Sequence, residues 1–283
     1  MSRLLILVAI SLITMTGCRD PGKPERTAPP NEQAAVAMVA KYKKSAELGS
    51  TPPHHVIWIN LAGTVAADAD LATLSDLPAL NYLMLNRTQV TDAGLKHLKS
   101  IKTLATLGLG GTTVTDAGLK ELKDLSNLVW LNLGETQVTD AGIGEVIGFA
   151  KLETLYLQGT RIGDDTLKEL KKLAKLHFLN VGKTRITDAG LKDLKEVQNL
   201  KTLFFDSTAI TDAGLKELKD LPNLEELHLN DSRVTDAGLK TLQECQKLSV
   251  LFISGPNITN AGIQQLRTAC PEMRVNPPPP KMY

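Results

Sequence analysis

The pentapeptide Thr-Asp-Ala-Gly-Leu begins at Thr91, Thr115, Thr187, Thr211 and Thr235, always on one 24-residue frame. Variants occupy the same frame at Ala67 (ADADL), Thr139 (TDAGI), Gly163 (GDDTL) and Thr259 (TNAGI). Nine units therefore follow one another over residues 56–271 without an insertion. A fixed period in the twenties marks a solenoid, because one such unit cannot bury its own apolar residues and must stack on its neighbours. This feature sets aside most architectures open to a chain of 283 residues.

Within a unit the pattern is L-x-x-L-x-L-x-x-T-x-V-T-D-A-G-L-x-x-L-x-x-L, complete at Leu104, Leu107, Leu109, Thr112, Val114, Leu119, Leu122 and Leu125. The alternation at Leu107 and Leu109 predicts a short strand with Thr106 and Gly108 on its opposite side. The spacing of Leu119, Leu122 and Leu125 predicts a helix with one apolar face. Thr115 or Asp116 is expected to cap that helix, where a carboxylate suits the positive end of the dipole. The recurrence of Asp92, Asp116, Asp140, Asp164, Asp188, Asp212 and Asp236 at each helix start argues for capping rather than catalysis. Gly118 is expected to leave room where the helix turns onto the strand layer. Lys120, Glu121, Lys123 and Asp124 read as a solvated outer face. With only two Trp, four Tyr and five Phe in the chain, the core is expected to consist of Leu, Ile, Val and Ala.

These residues resemble leucine-rich repeat proteins, specifically the (I/V)-T-D-x-G-L subtype found in bacterial envelope proteins and in the recognition horseshoes of F-box proteins. The resemblance covers the nine repeats. It implies an α/β fold: a right-handed solenoid with a parallel sheet on the concave side and helices on the convex side. One departure is the turn ladder, where Thr64, Thr88, Thr112, Thr136, Thr160, Thr184, Thr208 and Ser232 stand for the family's Asn or Cys. Their hydroxyls are expected to satisfy loop backbone groups between repeats. No F-box-like segment precedes the repeats, so a ubiquitin-ligase role is not carried over.

The flanks divide as follows. Residues 1–18 carry Arg3, a 12-residue apolar run at 4–15 and Met15-Thr16-Gly17-Cys18. That run is too short to span a bilayer core of ~30 Å as a helix and fits a signal-peptide core. The ending resembles a bacterial lipobox, which implies lipidation of Cys18 and a membrane-anchored protein of the bacterial cell envelope. A secreted protein with Cys18 as a free thiol is the alternative. Residues 19–30 read as a Pro-rich tether. Residues 31–55 read as an N-terminal capping helix over 31–48, closed by Gly49, and a junction. Residues 272–283 read as a cap strand and a Pro-rich tail.

Chemistry-bearing constellations do not emerge. The balance of 32 Lys and Arg against 31 Asp and Glu argues against a nucleic-acid binder. The five histidines and three cysteines show no zinc spacing. No phosphate loop or nucleophile elbow is present, so neither a catalytic residue nor a cofactor is assigned. Cys245 and Cys270 could form a disulfide or stand as two core thiols. The sequons at Asn86, Asn230 and Asn257 fall at repeat turns.

The informative residues are those on the strands that point away from the core. Seven of the eleven aromatics fall at such positions: Trp58, Tyr82, Trp130, Tyr156, Phe178, Phe204 and Phe252, with His228 among them. The repeat does not require rings there. Large apolar groups aligned on one concave face indicate a binding surface; the alternative is that some of these rings pack against one another or are covered by the terminal segments. The expected partner is a protein or peptide, with a polysaccharide as the alternative. Arg161, Lys183, Arg185 and Arg233 are expected to form a basic edge at the strand exits.

Overall fold

A computed structural model describes residues 27–276. The segments expected to be a signal peptide ending at Cys18, most of the expected tether and the Pro-rich tail lie outside the described residues. The chain forms one sheet of eleven strands in sequence order. These are β1 (Ala46–Leu48), β2 (Val56–Asn60), β3 (Tyr82–Met84), β4 (Thr106–Gly108), β5 (Trp130–Asn132), β6 (Thr154–Tyr156), β7 (Phe178–Asn180), β8 (Thr202–Phe204), β9 (Glu226–His228), β10 (Val250–Phe252) and β11 (Arg274–Val275). From β2 onward every pairing is parallel and in 24-residue register, such as Leu107 beside Leu131. The result is the α/β leucine-rich-repeat solenoid, with the sheet on the concave side.

The convex side is built from shorter helices than the leucine spacing suggests. Asp116–Leu119 is α-helical for one turn, and Lys120–Leu122 continues as a 3-10 turn. A spacing of three fits the 3.0 residues per turn of that tighter helix. Leu119, Leu122 and Leu125 are nonetheless fully buried, as are Leu107 and Leu109. Two rings enter this aliphatic core: Phe149 and Phe205 are both fully buried, in places the repeat otherwise gives to residues such as Leu125 and Leu109. The expectation of a core without rings is corrected to that extent.

The threonine ladder works inside each repeat rather than between repeats. The Thr112 hydroxyl donates to the Leu109 carbonyl three residues back at 2.6 Å, and the same bond recurs at Thr64, Thr88, Thr136, Thr160, Thr184 and Thr208. It closes a turn in which the residue just before each of these threonines, from Gly63 through Ser207, has positive φ, as does Asp231 before Ser232.

The aspartate ladder is what ties repeat to repeat. Thr115 does cap its own helix, accepting from the Ala117 N–H. Asp116, however, reaches forward. Its Oδ1 accepts from the Thr139 N–H at 2.8 Å and its Oδ2 from the Thr139 hydroxyl at 2.6 Å. The same two bonds join Asp68 to Thr91, Asp92 to Thr115, Asp164 to Thr187, Asp188 to Thr211, Asp212 to Thr235 and Asp236 to Thr259. Each carboxylate lies against the glycine of the next unit, where a Cβ would come within 3.0 Å of it. The motif glycines therefore make room for the preceding repeat's aspartate, not for the sheet.

Departures from the motif follow from this joint. Where Gly163 lacks a hydroxyl, Thr166 replaces the usual glycine and donates to Asp140 at 2.6 Å. The first unit has no preceding aspartate, and there Ala67 and Asp70 stand for Thr and Gly. Asp70 instead accepts from the Tyr42 hydroxyl at 2.7 Å and pairs with Lys41, fastening the N-terminal cap. In the last unit among the described residues, Asn260 replaces Asp.

That cap differs from the helix expected over 31–48. The helix α1 is Gln33–Lys41, and Lys43 turns the chain at φ 53. Residues 46–48 then form β1, antiparallel to β2, which covers the sheet edge. The buried Glu32 carboxylate holds this cap on the array, accepting from the Val56 N–H at 2.6 Å and pairing with His55. At the other end β11 adds a two-residue parallel strand, whose neighbour Asn276 binds both backbone groups of Ile253.

Candidate binding surface on the concave sheet

Parallel register sets neighbouring outward side chains about 4.8 Å apart, close enough for rings on adjacent strands to touch. Trp58 on β2 stacks on Tyr82 of β3, with centroids 5.4 Å apart and planes 16° from parallel. A second, longer series begins at Trp130 of β5. It passes to Tyr156 (5.3 Å), Phe178 (4.7 Å), Phe204 (5.3 Å), His228 (3.6 Å) and Phe252 (4.3 Å), one group per strand from β5 to β10. The eight sequence-selected residues thus form two stacks. The gap lies at β4, where Thr106 and Gly108 carry no ring and Met84 leans over Gly108.

The rings are half-buried rather than fully turned to solvent. Much of what covers them is one another. His228 lies within 18° of parallel to both Phe204 and Phe252, so both its faces are occupied. Its side chain is only 12% exposed, and Glu226 fixes it through Nε2 at 2.7 Å. Tyr156, Phe178 and Phe204 each have a ring neighbour on both sides. What these inner groups offer the groove is chiefly their edges. Burial also pushes the Tyr156 and Tyr82 hydroxyls above their ordinary pKa.

A polar lane accompanies the rings toward the strand exits. The Asn86 Oδ1 accepts from the Gly110 N–H at 2.8 Å and from Asn132 at 3.2 Å, and Asp206 accepts from the Asn230 N–H at 2.7 Å. Two of the sequon asparagines, Asn86 and Asn230, are thereby engaged in the turns. Beyond this lane Arg161, Lys183, Arg185 and Arg233 are exposed, and among the described residues none pairs with a carboxylate. The rim is nevertheless mixed, since Glu135, Asp206 and Asp231 occupy equivalent turns, and Arg87 meets Glu135 at 3.5 Å. A second charged row, which sequence reading passed over, lies at the strand entries. Glu153 faces His177 at 3.6 Å, and Lys201 faces Glu225 at 3.2 Å.

Of the chemical alternatives, Cys245 and Cys270 are separate free thiols. Burial raises the Cys245 thiol to about 11, with Glu244 adding to the effect. Among the described residues, no group of three His, Cys, Asp or Glu could hold a metal ion, and no helix is long and apolar enough to cross a membrane.

A family model described as a leucine-rich repeat region matches residues 90–278. Among solved structures, internalin C2 from Listeria monocytogenes matches with a TM-score of 0.59 and 24% identity, over 82% of this chain and 100% of that one. The leucine-rich-repeat ectodomain of the plant membrane receptor kinase GASSHO1/SCHENGEN3 from Arabidopsis thaliana, solved in complex with CASPARIAN STRIP INTEGRITY FACTOR 2, matches with a TM-score of 0.50 and 16% identity. That match covers 75% of this chain and 28% of the receptor chain. No curated protein matches by sequence.

Proposed function

Since the chain belongs to the leucine-rich repeat family, we propose that it is a non-catalytic recognition module of the (I/V)-T-D-x-G-L subtype that holds a protein or peptide on its ringed concave face. The observation that carries this reading is the unbroken series from Trp130 to Phe252. The fold does not need these rings, because Leu131, Leu155, Leu179, Leu203, Leu227 and Leu251 on the same strands already fill the core. Trp and Tyr are also the residue types that most often dominate interface energetics.

Ring orientation favours a polypeptide over a glycan. A sugar ring stacks on an exposed aromatic face, whereas both faces of His228 are covered by Phe204 and Phe252 and the remaining inner rings tilt against their neighbours at 40–52°. Ring edges carry the positive part of the quadrupole, which suits backbone carbonyls and the rings of a partner. The adjacent lane of asparagines adds amide groups that can exchange hydrogen bonds with a peptide. The His228–Glu226 pair is read as a clamp within the stack rather than as catalytic machinery.

The test is affinity capture from envelope extract with wild type and with Trp58→Ala plus Trp130→Ala. A specific protein partner should be lost from the double variant, since removing two aromatic anchors from an interface typically costs 2 kcal/mol or more, about 30-fold in affinity. Equal capture by both would overturn the assignment, and retention of envelope polysaccharide by wild type alone would move it to the glycan. The site at Cys18 further supports placing the module on the bacterial envelope through a lipid anchor. Cys18→Ser should then release the protein from membranes, and undiminished membrane retention would refute the anchor.

A further inference from the structure

Each strand from β2 to β10 presents one ring on the concave face, imidazole included, except β4. Tyr82, Thr106 and Trp130 share one outward position, in register on β3, β4 and β5. The two rings therefore stand two strand spacings apart, roughly 9.6 Å, with only a threonine between them. That span holds two ring-to-ring contacts of about 4.8 Å, inside the usual range for aromatic pairs. The unit around β4 lies low, and its neighbours reach over it. Gly108, Gly110 and Gly111 leave its backbone bare. A Cβ on Gly108 would collide with the Met84 thioether, and one on Gly111 would stand 2.8 Å from the Arg87 Cγ. The Asn132 amide donates to the Asn86 Oδ1 at 3.2 Å, and Arg87 meets Glu135 at 3.5 Å. Both pairs join the unit before β4 to the unit after it, so they wall off the strand-exit end of the gap.

We propose, resting on the reading of the concave face as a binding surface, that this gap receives one uncharged aromatic side chain of the protein partner. A Phe, Tyr or Trp ring would sit over Thr106 between Tyr82 and Trp130. It would join the two stacks into one series from Trp58 to Phe252. Flat walls two contacts apart select a flat group, which a branched aliphatic side chain does not match. Met84 adds to the preference. Its sulfur accepts from the Asn86 amide at 3.3 Å and lies over β4, where the edge of such a ring would come, and thioethers favour aromatic edges. Charge argues against the competing occupant, a guanidinium or ammonium between the same two rings. The strand entries here are Asn81, Ala105 and Val129, whereas Glu153, His177, Lys201 and Glu225 hold that place further along. At the exits Arg87 and Glu135 neutralise each other. A cation in the gap would leave water with no unpaired carboxylate beside it, a desolvation cost that a neutral ring does not carry. Thr106 is thus the specificity-determining residue, because its small side chain keeps the place open.

The test titrates the intact chain with N-acetyl-tyrosinamide, N-acetyl-leucinamide and N-acetyl-argininamide, followed by nuclear magnetic resonance. The Trp130 indole N–H and the Tyr82 ring should shift saturably with the tyrosine amide. Binding should be at least about fivefold tighter than for the leucine amide, the low end for two ring contacts. Phe252, at the far end of the series, should move least. Thr106→Phe supplies the ring from within, so it should abolish the response while leaving the melting midpoint unchanged or higher. Thr106→Leu should block the gap in the same way, and Thr106→Ser, which keeps it open, should retain the response. Equal binding of the tyrosine and leucine amides, tighter binding of the arginine amide, no saturable shift at all, or an undiminished response in the filled variants would each overturn the proposal. A partner captured equally by wild type and Thr106→Phe, yet lost on Trp58→Ala plus Trp130→Ala, would sink the gap while the binding surface stands.

Discussion

Gly142 and Gly144 lie two residues apart in the same helix, Asp140–Val146, and the structure gives their replacement by alanine opposite signs. Gly144 is exposed, and a Cβ built there meets nothing within 4 Å. Gly144→Ala should therefore stabilise by about 1 kcal/mol, the difference in helix propensity. At Gly142 the same gain is opposed, because the new methyl would displace the Asp116 carboxylate that packs there. Displacement breaks the bonds from the Thr139 N–H (2.8 Å) and hydroxyl (2.6 Å). Hydrogen bonds to a charged group contribute about 1.5 kcal/mol each at the low end of their range. Two such losses, less the propensity gain, leave Gly142→Ala destabilised by about 2 kcal/mol. The two variants should differ by about 3 kcal/mol, or roughly 6–12 °C in melting midpoint at this chain size. Urea and thermal melts followed by circular dichroism measure this. The decisive step is a double-mutant cycle, which isolates the pairwise term. In an Asp116→Ala background the cost of Gly142→Ala should vanish and its sign reverse. If Gly142→Ala costs as much without Asp116 as with it, the inter-repeat joint is not what the motif glycine serves.

Two further outcomes are expected. In a Cys18→Ser protein at pH 8, a thiol reagent should modify Cys270 readily and Cys245 only on unfolding, because Cys245 is buried and its thiol is raised to about 11; equal rates would contradict its packing. For Asp70, burial pushes the carboxyl up, but the Ala67 N–H, Tyr42 and Lys41 together hold it below its ordinary value. A depressed folded-state value means the stabilisation is present above the ordinary carboxylate range and is lost as pH falls through the lower folded value. Acid melts of wild type should therefore lose α1 protection from hydrogen exchange earlier than the rest of the array, a difference that Asp70→Asn should remove. An unchanged acid profile in Asp70→Asn would show that the carboxylate does not fasten the cap.

Much of the architecture was legible because a solenoid repeats its own argument. Leu107 and Leu109 show which side of a strand faces inward, and eight other units say the same. The selection of Trp130, Tyr156, Phe178, Phe204, His228 and Phe252 needed only that alternation and a constant period. How those rings meet was not legible, since the order of contact depends on which outward position each occupies on neighbouring strands. The segment Ala46–Leu48 misled because its composition reads as helix, whereas pairing with Val56–Asn60 decided its state. The aspartates misled for a related reason. A cap is a local idea, and the true acceptor–donor pairs are 23 residues apart. A signal was nonetheless present: Ala67 with Asp70, Gly163 with Thr166, and Asn260 each depart from the motif where the joint is absent or rearranged.

That joint bears on how such a chain can change length. Because the acceptor belongs to one unit and its donor and its cleft to the next, every duplication of 24 residues recreates a complete coupling at the new boundary, and every deletion of 24 heals one. The motif can thus lengthen or shorten by gene slippage without compensating substitutions inside the array, and the concave face would gain or lose one strand of recognition surface each time. Only the outermost units resist, since Ala67 cannot receive a neighbour's carboxylate as threonine does and Asn260 cannot offer one. They act as terminators, and growth of the array is confined to its interior.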